Sequence, residues 1–285
     1  GRSQSHPLIS GLCLLLVLTS GGASSGETFG SYHIGNSLTH DSRVVAIAEM
    51  SEAQGIQHSV GYHIRCSSSL PQIAGDTNTC VSPPQPYGTY VDALPGYEWD
   101  AITLQPAPDS TLGQDRDIIL NMLDRAQSQG RNADVAVHVY AAWPINRGET
   151  YAHYWERPAS QSDDQEMIPS AAYFDLLMSE LRNARPDEQF KLIPAGHVLY
   201  EIDRRLRAGD LSMDDISSAW GMYRDGVHMN SLGQYAAAVT TWATLFEQDP
   251  APLQKAGTWF DSHSPELLTP EAQTVIETVS WDVVS

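Results

Sequence analysis

The chain has 285 residues, 35 acidic side chains against 16 basic ones, and a formal net charge of −19. That length buries a full-sized core, and one large domain is expected. Nucleic acid and anionic lipid are excluded as partners, because both need clustered Lys and Arg, and Lys191 and Lys255 are the only lysines.

In chain order, Arg2 precedes an apolar run over residues 8–18, and small residues follow at 19–26. The run is too short to cross a bilayer and has the form of a secretory signal peptide. Residues 1–25 are therefore expected to be removed, leaving one domain, 26–285, with a C-terminal extension from about 250. A secreted or periplasmic protein is expected, with no membrane contact after cleavage. The sequence does not open on Met, and an incomplete start is expected. Without the leader, Cys66 and Cys80 are the remaining cysteines. An oxidising compartment favours one disulfide over two free thiols, stabilising the fold by about 3 kcal/mol.

Apolar, β-rich segments then alternate with helical ones. Strands are predicted at 28–34, 57–64, 101–105, 134–140 and 190–194, and helices at 43–54, 115–129, 169–184, 198–208 and 231–247. Residues 133–142, ADVAVHVYAA, are largely apolar, as suits a strand covered on both faces. The alternation predicts a mainly parallel five-stranded sheet with helices on both faces, a three-layer α/β sandwich. Residues 77–99 hold Pro83, Pro84, Pro86 and Pro95 and read as a loop tethered by the disulfide; 146–166 reads as an excursion from the core. The tail from 250 either packs as a helix near 270–279 or wraps the surface.

Two stretches carry candidate chemistry. After the first strand comes Gly35-Asn36-Ser37, and before the last core helix comes Asp225-Gly226-Val227-His228. A strand ending in a glycine-bearing turn can hold a serine at a sheet edge, although Ser and Asn are also ordinary helix caps. In Asp-x-x-His the carboxylate can accept a hydrogen bond from the imidazole Nδ1–H and fix its tautomer, leaving Nε2 free to accept a proton from a hydroxyl. Asp225 near a helix start is equally a capping residue, and so are Asn230 and Ser231.

Together, in this order on an α/β pattern, the two stretches resemble the SGNH hydrolases, the GDSL-type esterase superfamily, over nearly the whole mature chain. The resemblance implies a flavodoxin-like sandwich with Ser37 as nucleophile, His228 as general base and Asp225 orienting it. It also implies an oxyanion hole made by the Ser37 N–H, an N–H after the second strand and a side-chain amide after the third. The second-strand position normally holds glycine; here Ser67 or Ser68 stands there, within HIRCSSSLPQI. After the third strand, within ITLQPAPDS, Gln105 takes the place of asparagine.

Trp143, Arg147, His153, Tyr154 and Trp155 follow the fourth strand and are candidates for holding a sugar, an acyl group or, at Arg147, an anion; aromatics covering the sheet edge are the alternative. No metal-ligand or nucleotide-binding motif is present, so neither metal nor organic cofactor is expected. The expected activity is a secreted serine esterase acting on small, mainly acetyl, esters of small molecules or glycans. A carbohydrate-binding protein with vestigial chemistry and an acyltransferase are the alternatives.

Overall fold

The computed structural model describes residues 28–285 and the terminal Gly1; the expected signal peptide and Cys13 lie outside the described residues. Five strands, β1 (Thr28–Gly35), β2 (Gln57–Ile64), β3 (Ala101–Leu104), β4 (Ala136–Tyr140) and β5 (Phe190–Ile193), form one sheet in the order β2-β1-β3-β4-β5, all parallel. Parallel neighbours need crossover helices, and these cover both faces. On one face lie α2 (Val44–Ala53) and α9 (Ser231–Phe246), with α8 (Ala195–Ala208) and α10 (Pro270–Val284) packed against α9. The other face carries α3 (Leu70–Gly75), α4 (Tyr90–Gly96), α5 (Leu112–Gln127) and α7 (Ala171–Ala184). The short helices α1 (Ser37–Asp41) and α6 (Tyr151–Trp155) complete the set. The fold is the α/β class expected.

Strand alternation sorts the core. Tyr32 of β1 meets Trp99 on the α4 side. Ser31 and His33 point to the α2/α9 side and build a polar chain there. The Ser51 hydroxyl donates to Ile47 O, 2.8 Å, so it must accept from His58 Nδ1, 3.1 Å. His58 Nε2 then accepts from Ser31 Oγ, 2.8 Å, which accepts in turn from His33 Nε2, 2.8 Å. His33 Nδ1 finally accepts from Thr103 Oγ1, 2.9 Å. Every link requires neutral imidazoles.

Capping side chains set the helix starts, earlier than predicted at α5 and later than predicted at α7. Thr111 and Gln114 form a reciprocal capping box on α5, and Ser170 caps α7. Three short helices were not predicted. α4 lies inside 77–99 despite Pro95, and α3 has a proline in its first turn. α6 lies inside 146–166, which is no excursion: Tyr151, Tyr154 and Trp155 are buried. The tail packs as a helix, α10, against α8 and α9.

Candidate functional site

The strand order reverses direction at β1, so the crevice beyond the carboxyl ends of β1 and β3 is the topological switch point, where open α/β sheets bind ligands. Both strands end in side chains of interest there. β1 closes at Gly35, where a Cβ would stand 2.0 Å from Thr39 Oγ1 and 2.7 Å from Gln105 Oε1. Only glycine allows that approach. Asn36 caps α1, its Oδ1 accepting from Leu38 N at 2.9 Å. Ser37 is thus the first helical residue, and its hydroxyl is not spent on the cap.

Gln105, fully buried beyond β3, grips this turn. Its Oε1 accepts from Asn36 N (3.1 Å), Thr39 N (3.0 Å) and Thr39 Oγ1 (2.6 Å), and its Nε2 donates to Asn36 Oδ1 (2.9 Å). The expected oxyanion donor is therefore tied to the turn through its carbonyl and one amide proton. Gln105 also lines the cleft, and its second Nε2 proton has no partner among the described residues.

The chain from 223 to 229 closes on itself, with Arg224 N donating to His228 O at 2.9 Å. Asp225 Oδ1 accepts from the N–H groups of Val227 and His228, both at 2.7 Å, and Oδ2 meets His228 Nδ1 at 2.9 Å. Burial opposes ionisation, but the two N–H groups and the imidazole outweigh it and hold the Asp225 carboxyl down at about 2. A carboxylate can only accept, so the proton sits on Nδ1. Nε2 then accepts from Ser37 Oγ at 3.0 Å. Asn230 caps α9 through Leu232 N and Gly233 N, so Asp225 does not serve that purpose.

Asp41, at the end of α1 and nearly fully buried, joins the two halves. Its carboxylate accepts from Arg224 Nη1 (3.1 Å), Met229 N (2.8 Å) and Gln234 Nε2 (3.3 Å). Arg224 and Met229 directly flank the Asp225–His228 segment, so one buried anion fixes it to the helix that carries Ser37. Sequence reasoning missed both Asp41 and Arg224; the available signal was a charged residue beside each motif in a chain poor in cations.

Ser67 stands where the resemblance implies glycine, with a φ of 53°, the left-handed conformation glycine adopts freely. Cys66 and Cys80 are bridged, with Cα atoms 5.7 Å apart, and Asn36 Nδ2 donates to Ser68 O at 3.1 Å. The N–H groups of Ser37, Ser67 and Ser68 make no hydrogen bond among the described residues, and all three residues line the same cleft.

Ser37, Ser67, Ser68, Gln105 and His228 line one cleft of about 590 Å³, within the usual size of a small-molecule site. Leu38, Ile145, Met167 and Val227 supply apolar wall. A depression of similar size at Tyr90 and Arg125 shares none of these residues. Arg147, Tyr154 and Trp143 also line the cleft, but Trp143 is almost wholly covered and its indole N–H donates to Val227 O at 2.8 Å, bracing the histidine segment. Trp155 lies in the core against Phe174 and His197, not on a sugar platform. His153 projects from the outer face of α6 and is absent from the cleft lining; it contacts Arg157, an unforeseen lining residue, at 3.3 Å. Among the described residues no group of three potential ligands stands close enough to hold a metal.

No family model matches the sequence. No curated protein matches it either. The fold is similar to a solved structure described as a DUF4886 family protein from Bacteroides uniformis ATCC 8492, at 19% identity and a TM-score of 0.56, over 90% of this chain and 95% of that one. That likeness concerns the fold alone.

Proposed function

We propose that the chain is a serine esterase that hydrolyses small acyl esters, acetyl esters of carbohydrate-sized alcohols first among them. One observation carries this: Asp225, His228 and Ser37 form a continuous hydrogen-bonded chain, 2.9 and 3.0 Å, that opens into a cleft beside unpaired N–H donors. The resemblance of the two sequence stretches to SGNH hydrolases points the same way.

In the first half-reaction Ser37 Oγ bonds to the ester carbonyl carbon as its proton passes to His228 Nε2. The Asp225 carboxylate faces the imidazolium that results. The oxyanion is received by the Ser37 N–H and by Ser67 or Ser68; one such donor contributes on the order of 3 kcal/mol to the transition state. Collapse breaks the bond to the alcohol oxygen, which leaves with the proton from Nε2. Water then attacks the acyl-serine, giving one proton to Nε2. Ser37 Oγ reclaims it as the carboxylic acid departs.

The test is hydrolysis of p-nitrophenyl acetate, butyrate and octanoate by the wild type and Ser37→Ala. Acetate turnover that is fastest of the three and lost in the variant is the expected result. Equal, near-background rates in both proteins would reject the proposal.

A further inference from the structure

Two arginines of the cleft that holds Ser37, Arg147 and Arg157, stand apart from any carboxylate. Acidic side chains outnumber basic ones 35 to 16; Arg43, Arg125, Arg131 and Arg182, all outside the cleft, have no carboxylate within 4.0 Å among the described residues, while Arg65, Arg116, Arg185 and Arg224 each have one. Arg147 and Arg157, both lining the cleft that holds Ser37, do not: neither has a carboxylate within 4.0 Å among the described residues. Arg147 makes no hydrogen bond there at all. Arg157 is oriented without being neutralised, its guanidinium over the Tyr154 ring at 5.1 Å and in contact with His153.

The cleft also contains Asp109 and Glu166. The segments around them are paired, Thr111 with Glu166 and Met167 N with Ser110 O. The arginines instead come from the segment that leaves β4 and forms α6. Neither Asp109 nor Glu166 lies within 4.0 Å of Arg147 or Arg157, so both guanidinium groups are free to take a ligand.

We infer that the preferred substrates carry an anion, a carboxylate or a sulfate, on the alcohol side of the ester, held by Arg147 and Arg157. A guanidinium fork matches either group in bidentate fashion. This rests on the esterase proposal: with a small acyl group, the charge can sit only on the alcohol. The whole molecule repels anions, so selection must come from these two side chains at short range, inside a Debye length of about 8–10 Å at moderate salt.

The test compares kcat/KM for 4-acetoxybenzoate and 4-acetoxybenzenesulfonate with that for the neutral isostere 4-acetoxybenzamide, each normalised to its alkaline hydrolysis rate. The wild type is expected to prefer at least one anion by tenfold or more in dilute buffer, with the preference falling as NaCl is added. Arg147→Gln/Arg157→Gln should bring the ratio below twofold, whereas Arg147→Lys/Arg157→Lys should retain most of it. Circular dichroism checks that each variant is folded. A wild-type ratio below threefold for both anions, or one that persists in the glutamine variant, overturns the inference while leaving esterase activity standing. If no ester is cleaved, the esterase proposal fails, and calorimetric titration with oligogalacturonate against a neutral xylo-oligosaccharide decides the anion question. Binding of the acidic ligand alone, lost in the glutamine variant, would sustain it; no binding would end it.

Discussion

Replacing Asp41 with asparagine removes one charge and one acceptor while keeping the shape. In the native protein the Asp41 carboxylate accepts from Arg224, Met229 N and Gln234. An asparagine oxygen can keep the Met229 bond, but its NH₂ then faces the donors of Arg224 and Gln234. Removing one partner of a buried ion pair costs about 3–5 kcal/mol. Arg224 keeps a route to solvent, with 26% of its side chain exposed, which argues for the lower end, about 3 kcal/mol. For a chain of this size that is a fall in Tm of roughly 5–6 °C. Activity should suffer separately, because Arg224 and Met229 bracket Asp225 and His228. A displacement of about 1 Å at the base costs on the order of 10²-fold in rate. Urea unfolding gives the first quantity. The second comes from kcat and KM for p-nitrophenyl acetate in conditions where the variant is fully folded, with kcat falling much more than KM rises. The cycle with Arg224→Met and the double variant should show coupling above about 1 kcal/mol. Asp41→Asn with wild-type stability and wild-type kcat would refute the bracing role.

Gln105→Ala leaves three donors at the β1 turn without their acceptor, and should lower stability by at least about 3 kcal/mol in urea titration; an unchanged midpoint would mean that the turn holds itself. Reduction of Cys66–Cys80, which closes a loop of sequence separation 14, should cost about 3 kcal/mol, seen as a lower melting temperature in dithiothreitol at neutral pH; no shift would count against the bridge. Burial, chiefly, depresses His33 to about 3 and His58 and His138 to about 4. Each is then neutral when folded yet protonated when unfolded between those values and about 6.5. Stability is therefore full above about pH 6.5 and falls as pH drops, by about 1.4 kcal/mol per pH unit for each such group. His58→Gln should flatten that slope in chemical denaturation between pH 4 and 6.5; an identical slope would remove His58 from the effect.

The strands and long helices were legible because burial leaves a trace in the sequence: β4 is buried throughout and apolar but for His138, and α5 and α7 repeat at helical spacing. α3, α4 and α6 left none, since six, seven and five residues are too few to show a period, and prolines masked two of them. In the site, Ser37 and the Asp225–His228 pair were legible because each is a local device, a turn and a single loop. Asp41 and Arg224 were not, because their pairing spans 183 residues and has no local pattern. Gln105 was located correctly, but its reach back to Thr39 depends on how closely Gly35 lets β1 and β3 converge. The role of Trp143 was likewise hidden, because its indole partner, Val227, comes from a distant loop.

The most direct measurement is covalent labelling with diisopropyl fluorophosphate, read by peptide mass spectrometry alongside p-nitrophenyl acetate turnover. A single phosphoryl adduct on Ser37, formed in step with loss of activity, absent in Ser37→Ala and slowed in His228→Ala, is the expected result. An unlabelled Ser37 in a protein that still hydrolyses the ester, or full activity in Ser37→Ala, would contradict serine catalysis at this site.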